Sequence, residues 1–195
     1  DFTTTSGGGG VTASPRQRAG LQDAPGAPPV FSNAGWVRKL EGTDFQESRF
    51  PRVRFTNSGR LEIRRGVMSI LAFPPGQGSG GNQFFTGRAL PAALGDSGFS
   101  QTDAGELILG VAGLDAPSSH GQLRVEESAQ LAGALRLTFE PPFTPMVGTL
   151  VPCITYASSA GALAGVGSAG LPAEAVVAIE QTPQELQVRV VRNGP

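Results

Sequence analysis

Leu135-Arg136-Leu137-Thr138-Phe139, then Val147 to Tyr156, then Val176 to Val191 with Pro183 inside it: the last third of the chain reads as three β-strand runs separated by Pro- and Gly-rich turns. Apolar and polar residues alternate in the first run and the last. A period of two sends successive side chains to opposite faces, so Leu135, Leu137 and Phe139 share one face and Arg136 and Thr138 the other. One apolar face and one polar face point to a sandwich or a barrel.

The same grammar runs upstream. Arg52-Val53-Arg54-Phe55 and Arg60-Leu61-Glu62-Ile63-Arg64 alternate on either side of Thr56-Asn57-Ser58-Gly59. Asn and Gly tolerate the positive φ of tight turns, so this stretch predicts a β-hairpin. Val53, Phe55, Leu61 and Ile63 would share its buried face, with Arg52, Arg54, Glu62 and Arg64 opposite. Val67 to Phe73 is more continuously apolar and suits a central strand. Trp36 to Leu40, Phe84 to Leu90, Glu106 to Val111 and Leu123 to Glu126 give further short strands. Pro74 to Asn82, Pro91 to Gly105 and Asp115 to Gly121 read as loops. No long amphipathic helix is visible. Many short strands divided by turn signals predict an all-β fold, an antiparallel β-sandwich of jelly-roll type over residues 30–195. No repeat at a fixed period stands out, which counts against a propeller or solenoid.

Residues 1–29 differ in kind. Thr3 to Ser6, Gly7 to Gly10 and the prolines Pro15, Pro25, Pro28 and Pro29 leave only Phe2, Val11 and Leu21 as substantial apolar groups. Such a segment buries too little apolar surface to offset the entropy of ordering it. It is expected to be a flexible arm that attaches to a neighbour.

Charge and composition exclude several classes. Formal net charge is −1, and no basic stripe of the kind a nucleic-acid binder uses is present. The longest weakly polar stretch, Ala160 to Ala178, lacks the bulky apolar content of a membrane-spanning helix. Cys153 is the only cysteine, so no intrachain disulfide forms, and its apolar neighbours mark it as a small core residue.

The candidates for chemistry are few. Gly165-Val166-Gly167-Ser168-Ala169-Gly170 matches a dinucleotide fingerprint in spelling. That motif works only between a strand and a helix N-terminus, and Pro172 follows at once, so a loop between strands is expected. Asp115, Ser118, Ser119 and the lone His120 supply the residue types of a hydrolase triad. A triad is assembled from separate elements, so a polar loop tip is the reading for this cluster. Asp96, Asp103 and Asp115 would need to meet in space to do glycosidase work. One His and one Cys do not make a zinc site. No catalytic set, cofactor or metal site is therefore expected. The remaining contact candidates are Arg52, Arg54, Arg60 and Arg64, with Asp115 and His120. The arginines would form a solvated strand face paired with Glu62, or would meet an acidic partner such as another subunit or an anionic glycan.

Leu137-Thr138-Phe139-Glu140-Pro141-Pro142-Phe143-Thr144-Pro145-Met146-Val147 resembles the rhythm at the start of small β-sandwich knobs of phage and viral fibres and spikes. An apolar strand ends, a Pro-Phe corner turns, and a new strand begins at Pro-x-Val. Leu186 to Asn193 is similar to the last strand of such knobs. The insertion from Ser158 to Glu174 is long for that pattern. The resemblance implies a non-enzymatic structural or receptor-binding subunit of a virion (fibre, spike or decoration protein). Other copies of itself, as a trimer, neighbouring structural proteins and a host surface glycan would be its partners. Two alternatives stand beside it: a bacterial surface adhesin or pilus-type subunit whose arm donates a strand, and a carbohydrate-active enzyme on a jelly roll. The first two readings place the chain on a virion or outside the cell.

Overall fold

The computed structural model describes residues 2–6, 9–13, 30–40, 47–51, 53–71, 98–115 and 118–192, residues 2–6, 9–13 and 51 by backbone alone. β1 (Phe2–Ser6) and β2 (Gly9–Ala13) form an antiparallel hairpin. From there the chain winds in coils, and each coil contributes one strand to each of three sheets in turn. The first coil holds β3 (Val30–Asn33), β4 (Trp36–Lys39) and β5 (Glu47–Pro51). The second holds β6 (Arg54–Asn57), β7 (Arg60–Ile63) and β8 (Gly66–Leu71), and the third β9 (Gly98–Gln101), β10 (Glu106–Val111) and β11 (Gly121–Val125). The fourth holds β12 (Ser128–Leu131), β13 (Ala134–Phe139) and β14 (Leu150–Thr155). The last begins with β15 (Ser158–Gly161) and β16 (Gly165–Ala169) and closes with the hairpin of β17 (Ala175–Gln181) and β18 (Glu185–Arg192).

The first sheet runs β3-β6-β9-β12-β15, the second β1-β2-β4-β7-β10-β13-β16, and the third β5-β8-β11-β14-β18-β17. Pairing from coil to coil is parallel throughout. Among the described strands, antiparallel pairing occurs only at the two ends, where β2 lies on β4 and β18 lies on β14, apart from a single bridge between Val111 and His120. The described residues therefore form a parallel β-solenoid, and the antiparallel jelly-roll sandwich expected from the sequence is overturned. Alternation reports which face of a strand is buried and carries no information on strand direction.

The predicted hairpin at Arg52–Arg64 shows the error locally. β6 and β7 lie in different sheets, and Ser58–Gly59 is the corner between them. Ser58 and Gly59 donate their backbone N–H groups to Asn33 O of the coil below, at 2.8 and 3.0 Å. A Cβ on Gly59 would stand 2.2 Å from Gly35 O, so the corner needs glycine for backbone approach. Val53, Phe55, Leu61 and Ile63 do turn inward, but toward a bore shared by three sheets.

Equivalent positions stack from coil to coil. Phe31, Phe55 and Phe99 form one inward column, with ring centroids 4.9 and 6.0 Å apart. Val37, Leu61, Leu107, Leu135 and Val166 form another. At the corner of the first and second sheets the column is polar. Asn33 Nδ2 donates to Asn57 Oδ1 at 2.8 Å, and Asn57 Nδ2 donates to Gln101 Oε1 at 3.2 Å. Gln101 Nε2 then donates to the carbonyls of Ala132 and Ala134. All three amides are buried, and the ladder satisfies them and neighbouring carbonyls together.

The Pro-Phe corner at Pro142–Phe143 carries the chain from the second sheet to the third, with Phe143 packed 6.4 Å from Phe139. The arm expected at residues 1–29 lies outside the described residues except for β1 and β2, which pair on the second sheet.

Candidate binding face

Parallel register lines up the outward positions as it does the inward ones. On the first sheet, Arg54, Gly98, Ser128 and Ser158 form one outer column, and Thr56, Ser100, Gln130 and Ala160 the next. Strands in a sheet lie about 4.8 Å apart, so polar groups climb this face at that interval. All of these positions except Thr56 line a shallow groove of about 320 Å³. Arg54 is the only charged residue in the first sheet, and it is exposed with no ion-pair partner among the described residues. Gly98 leaves the floor open between Arg54 and Ser128. It also admits the next coil, since a Cβ there would meet Ser128 O at 2.6 Å.

The outer face of the second sheet carries more charge and pairs most of it internally, with Arg136 on β13 left exposed and without an ion pair among the described residues. Arg38 and Arg64 donate to the two oxygens of Glu62 at 2.6 and 2.8 Å. Arg60 pairs with Glu106 at 3.1 Å, and Arg65 with Glu140 at 3.4 Å. Arg38 also lies over the Trp36 ring, 4.3 Å from its centroid. Burial alone would raise the Glu62 carboxyl, but the hydrogen bonds from Arg64 and Arg38 hold it below its ordinary value. Arg38, Arg60 and Arg64, so neutralised, have little charge left to offer a partner.

The structure thus separates the arginine cluster that the sequence grouped in one hairpin. Arg54 belongs to the first sheet and has no ion-pair partner among the described residues; Arg60 and Arg64 belong to the second and are paired. Arg52 lies outside the described residues.

His120 is fully buried at the start of β11, next to an isolated bridge with Val111. Neither ring nitrogen makes a hydrogen bond of normal geometry, although the carbonyls of Pro152 and Gly113 lie close enough to favour its proton. Burial outweighs them and keeps the imidazole below its ordinary value, hence neutral. The Ser118 and Ser119 hydroxyls donate to the backbone carbonyl of Asp115, at 3.1 and 2.9 Å, and not to the ring. These four residues do not form a triad, and His120 is closed to a ligand. Asp115 itself is exposed, on the loop from the second sheet to the third. Asp103 sits on the corner between the first and second sheets, and Asp96 lies outside the described residues.

Gly165–Gly170 is mostly strand β16 at the edge of the second sheet rather than the loop expected, and no helix adjoins it. Cys153 is buried with its thiol pushed up by desolvation, and its Sγ donates to Val151 O at 3.2 Å. Among the described residues no group of three His, Cys, Asp or Glu could hold a metal ion. No helix among them is long and apolar enough to cross a membrane.

Ser100, Ser128, Gln130 and Ser158 were not singled out by sequence. Each is an ordinary polar residue alone, and only the coil register brings them to one face. Comparison with known proteins finds no matching family model, no curated relative and no matching solved structure.

Proposed function

We propose that the chain is a non-enzymatic structural or receptor-binding subunit of a virion or other extracellular assembly, with the outer face of the first sheet as its contact surface. One observation carries this reading: the groove on that face combines outward hydroxyl and amide groups with one cation, and none of these side chains has an internal partner among the described residues. A stack of hydrogen-bonded coils is stiff, and it presents such groups at fixed spacing without ordering them on binding. Self-association belongs to the same proposal. Size-exclusion chromatography with light scattering is expected to show oligomers, and a monomer at high concentration removes that part.

The contact surface is tested by retention of the labelled full chain on a panel of bacterial and animal cells. Ser128→Trp fills the groove from an exposed position, and Arg136→Trp adds the same bulk to the second-sheet face. Retention is expected to fall with Ser128→Trp alone. Equal retention of both variants, or no retention of the unaltered chain, overturns the reading.

A further inference from the structure

The chemistry of the groove goes further than a generic contact surface. Its residues offer hydroxyls at Ser100, Ser128 and Ser158 and an amide at Gln130, none of them used in an internal hydrogen bond among the described residues. Its floor is Gly98 and the backbone of the sheet, with no aromatic ring on the outward columns. A ligand here would be held by hydrogen bonds along its length and not by stacking or apolar burial. Nucleic-acid bases, which need aromatic platforms, are poorly served. A saccharide, with hydroxyls repeating along a stiff chain, matches donors and acceptors that repeat at about 4.8 Å from strand to strand.

Arg54 adds a sign to that pattern. It lines the groove in the column that runs from Val30 through Arg54 and Gly98 to Ser128 and Ser158. A guanidinium presents a planar fork that fits a carboxylate in bidentate fashion. On the second sheet, carboxylates of the protein fill that role for Arg38, Arg60 and Arg64. On the first sheet no carboxylate of the described residues does.

We infer that the groove binds an acidic oligosaccharide, lying across the strands along the solenoid axis, with a uronate carboxylate on Arg54 and ring hydroxyls on Ser128, Ser158 and Gln130. This rests on the contact-surface reading above and names its ligand class.

The test is calorimetric titration of the full chain with galacturonate oligomers and with their methyl esters. The acid form is expected to bind, and to bind more weakly as salt is added. Arg54→Gln is expected to weaken binding about tenfold or more, the usual consequence of losing a charge-assisted bidentate pair. Ser128→Trp is expected to abolish it, while Arg136→Ala leaves it unchanged. Unaltered melting temperatures confirm that the variants fold. Equal binding of acid and ester, or binding indifferent to Arg54→Gln, overturns the inference. So does a chain whose retention on cells is lost with Ser128→Trp but which ignores galacturonate oligomers. In that last case the contact-surface reading stands and only the ligand class falls.

Discussion

In the second and third coils the inward columns hold Phe55 and Phe99, Leu61 and Leu107, Ile63 and Leu109; in the last coil the same columns hold Ser159, Val166 and Ser168. The middle residues are all buried, whereas the last-coil ones are only half-buried. Each large apolar side chain taken fully from water contributes about 1.5–3 kcal/mol. Stability is therefore concentrated in the middle of the solenoid, and the last coil is a taper. In β15 and β16 it continues the backbone hydrogen bonding with little core of its own, whereas β18 keeps Leu186, Val188 and Val190 buried. In a stack where each coil touches only its neighbours, such differences stay local.

The sharpest way to break this contrast is to empty matching positions. Phe55→Ala is expected to cost about 3–5 kcal/mol in urea unfolding, because it removes the centre of the aromatic column and leaves a cavity. Val166→Ala in the last coil is expected to cost roughly 1 kcal/mol, since little is excluded from water there. Equal costs would show that the coils unfold as one unit with no taper. Next in size is the amide ladder. Asn57→Leu leaves Gln101 Oε1 without its donor and Asn33 Nδ2 without one acceptor, and is expected to cost about 1–3 kcal/mol by the same measurement.

His120, the only histidine, gives the middle coils a pH dependence. Its imidazole is kept neutral by burial, while in the unfolded chain it protonates near its ordinary value of about 6.5. The folded-state value is the lower one, so its stabilisation is complete above about pH 6.5 and is lost as pH falls through the folded value. As pH falls below about 6.5, the melting temperature of the unaltered chain is expected to fall more than that of His120→Leu, whose curve is flatter there. Parallel curves would remove His120 as the cause. The smallest effect is expected on the outer face: Arg60→Ala, which breaks an exposed pair with Glu106, should cost under about 1 kcal/mol and less in high salt.

Strand positions were legible because alternation is a local property. Leu135, Leu137 and Phe139 are buried and Arg136 is exposed, as the period of two requires. The winding was not legible, because it depends on which distant strands become neighbours. Val30, Arg54, Gly98, Ser128 and Ser158 occupy one position in successive coils, yet the intervals between them are 24, 44, 30 and 30 residues. Unequal crossings erased the fixed period that would have announced a solenoid. Asn57 misled for a related reason: beside Ser58 and Gly59 it spells a hairpin turn, but its side chain points inward to the ladder. Of the proposed groove only Arg54 drew notice from the sequence, and its isolation from carboxylates emerged only with the sheets assigned.

Those unequal crossings can be regarded as a set of sockets. The passage from third sheet to first takes Arg52–Val53 after the first coil, Glu126–Glu127 after the third and Tyr156–Ala157 after the fourth, but residues 72–97 after the second. Register at β9 is set by its pairing with β6 and by the Phe55–Phe99 contact, not by the length of what connects them. Residues 72–97 thus occupy a place where the rod accepts cargo: a designer could trim them to a two-residue bend, or exchange them for another segment. The exchanged segment would re-enter at Gly98, in the floor of the groove.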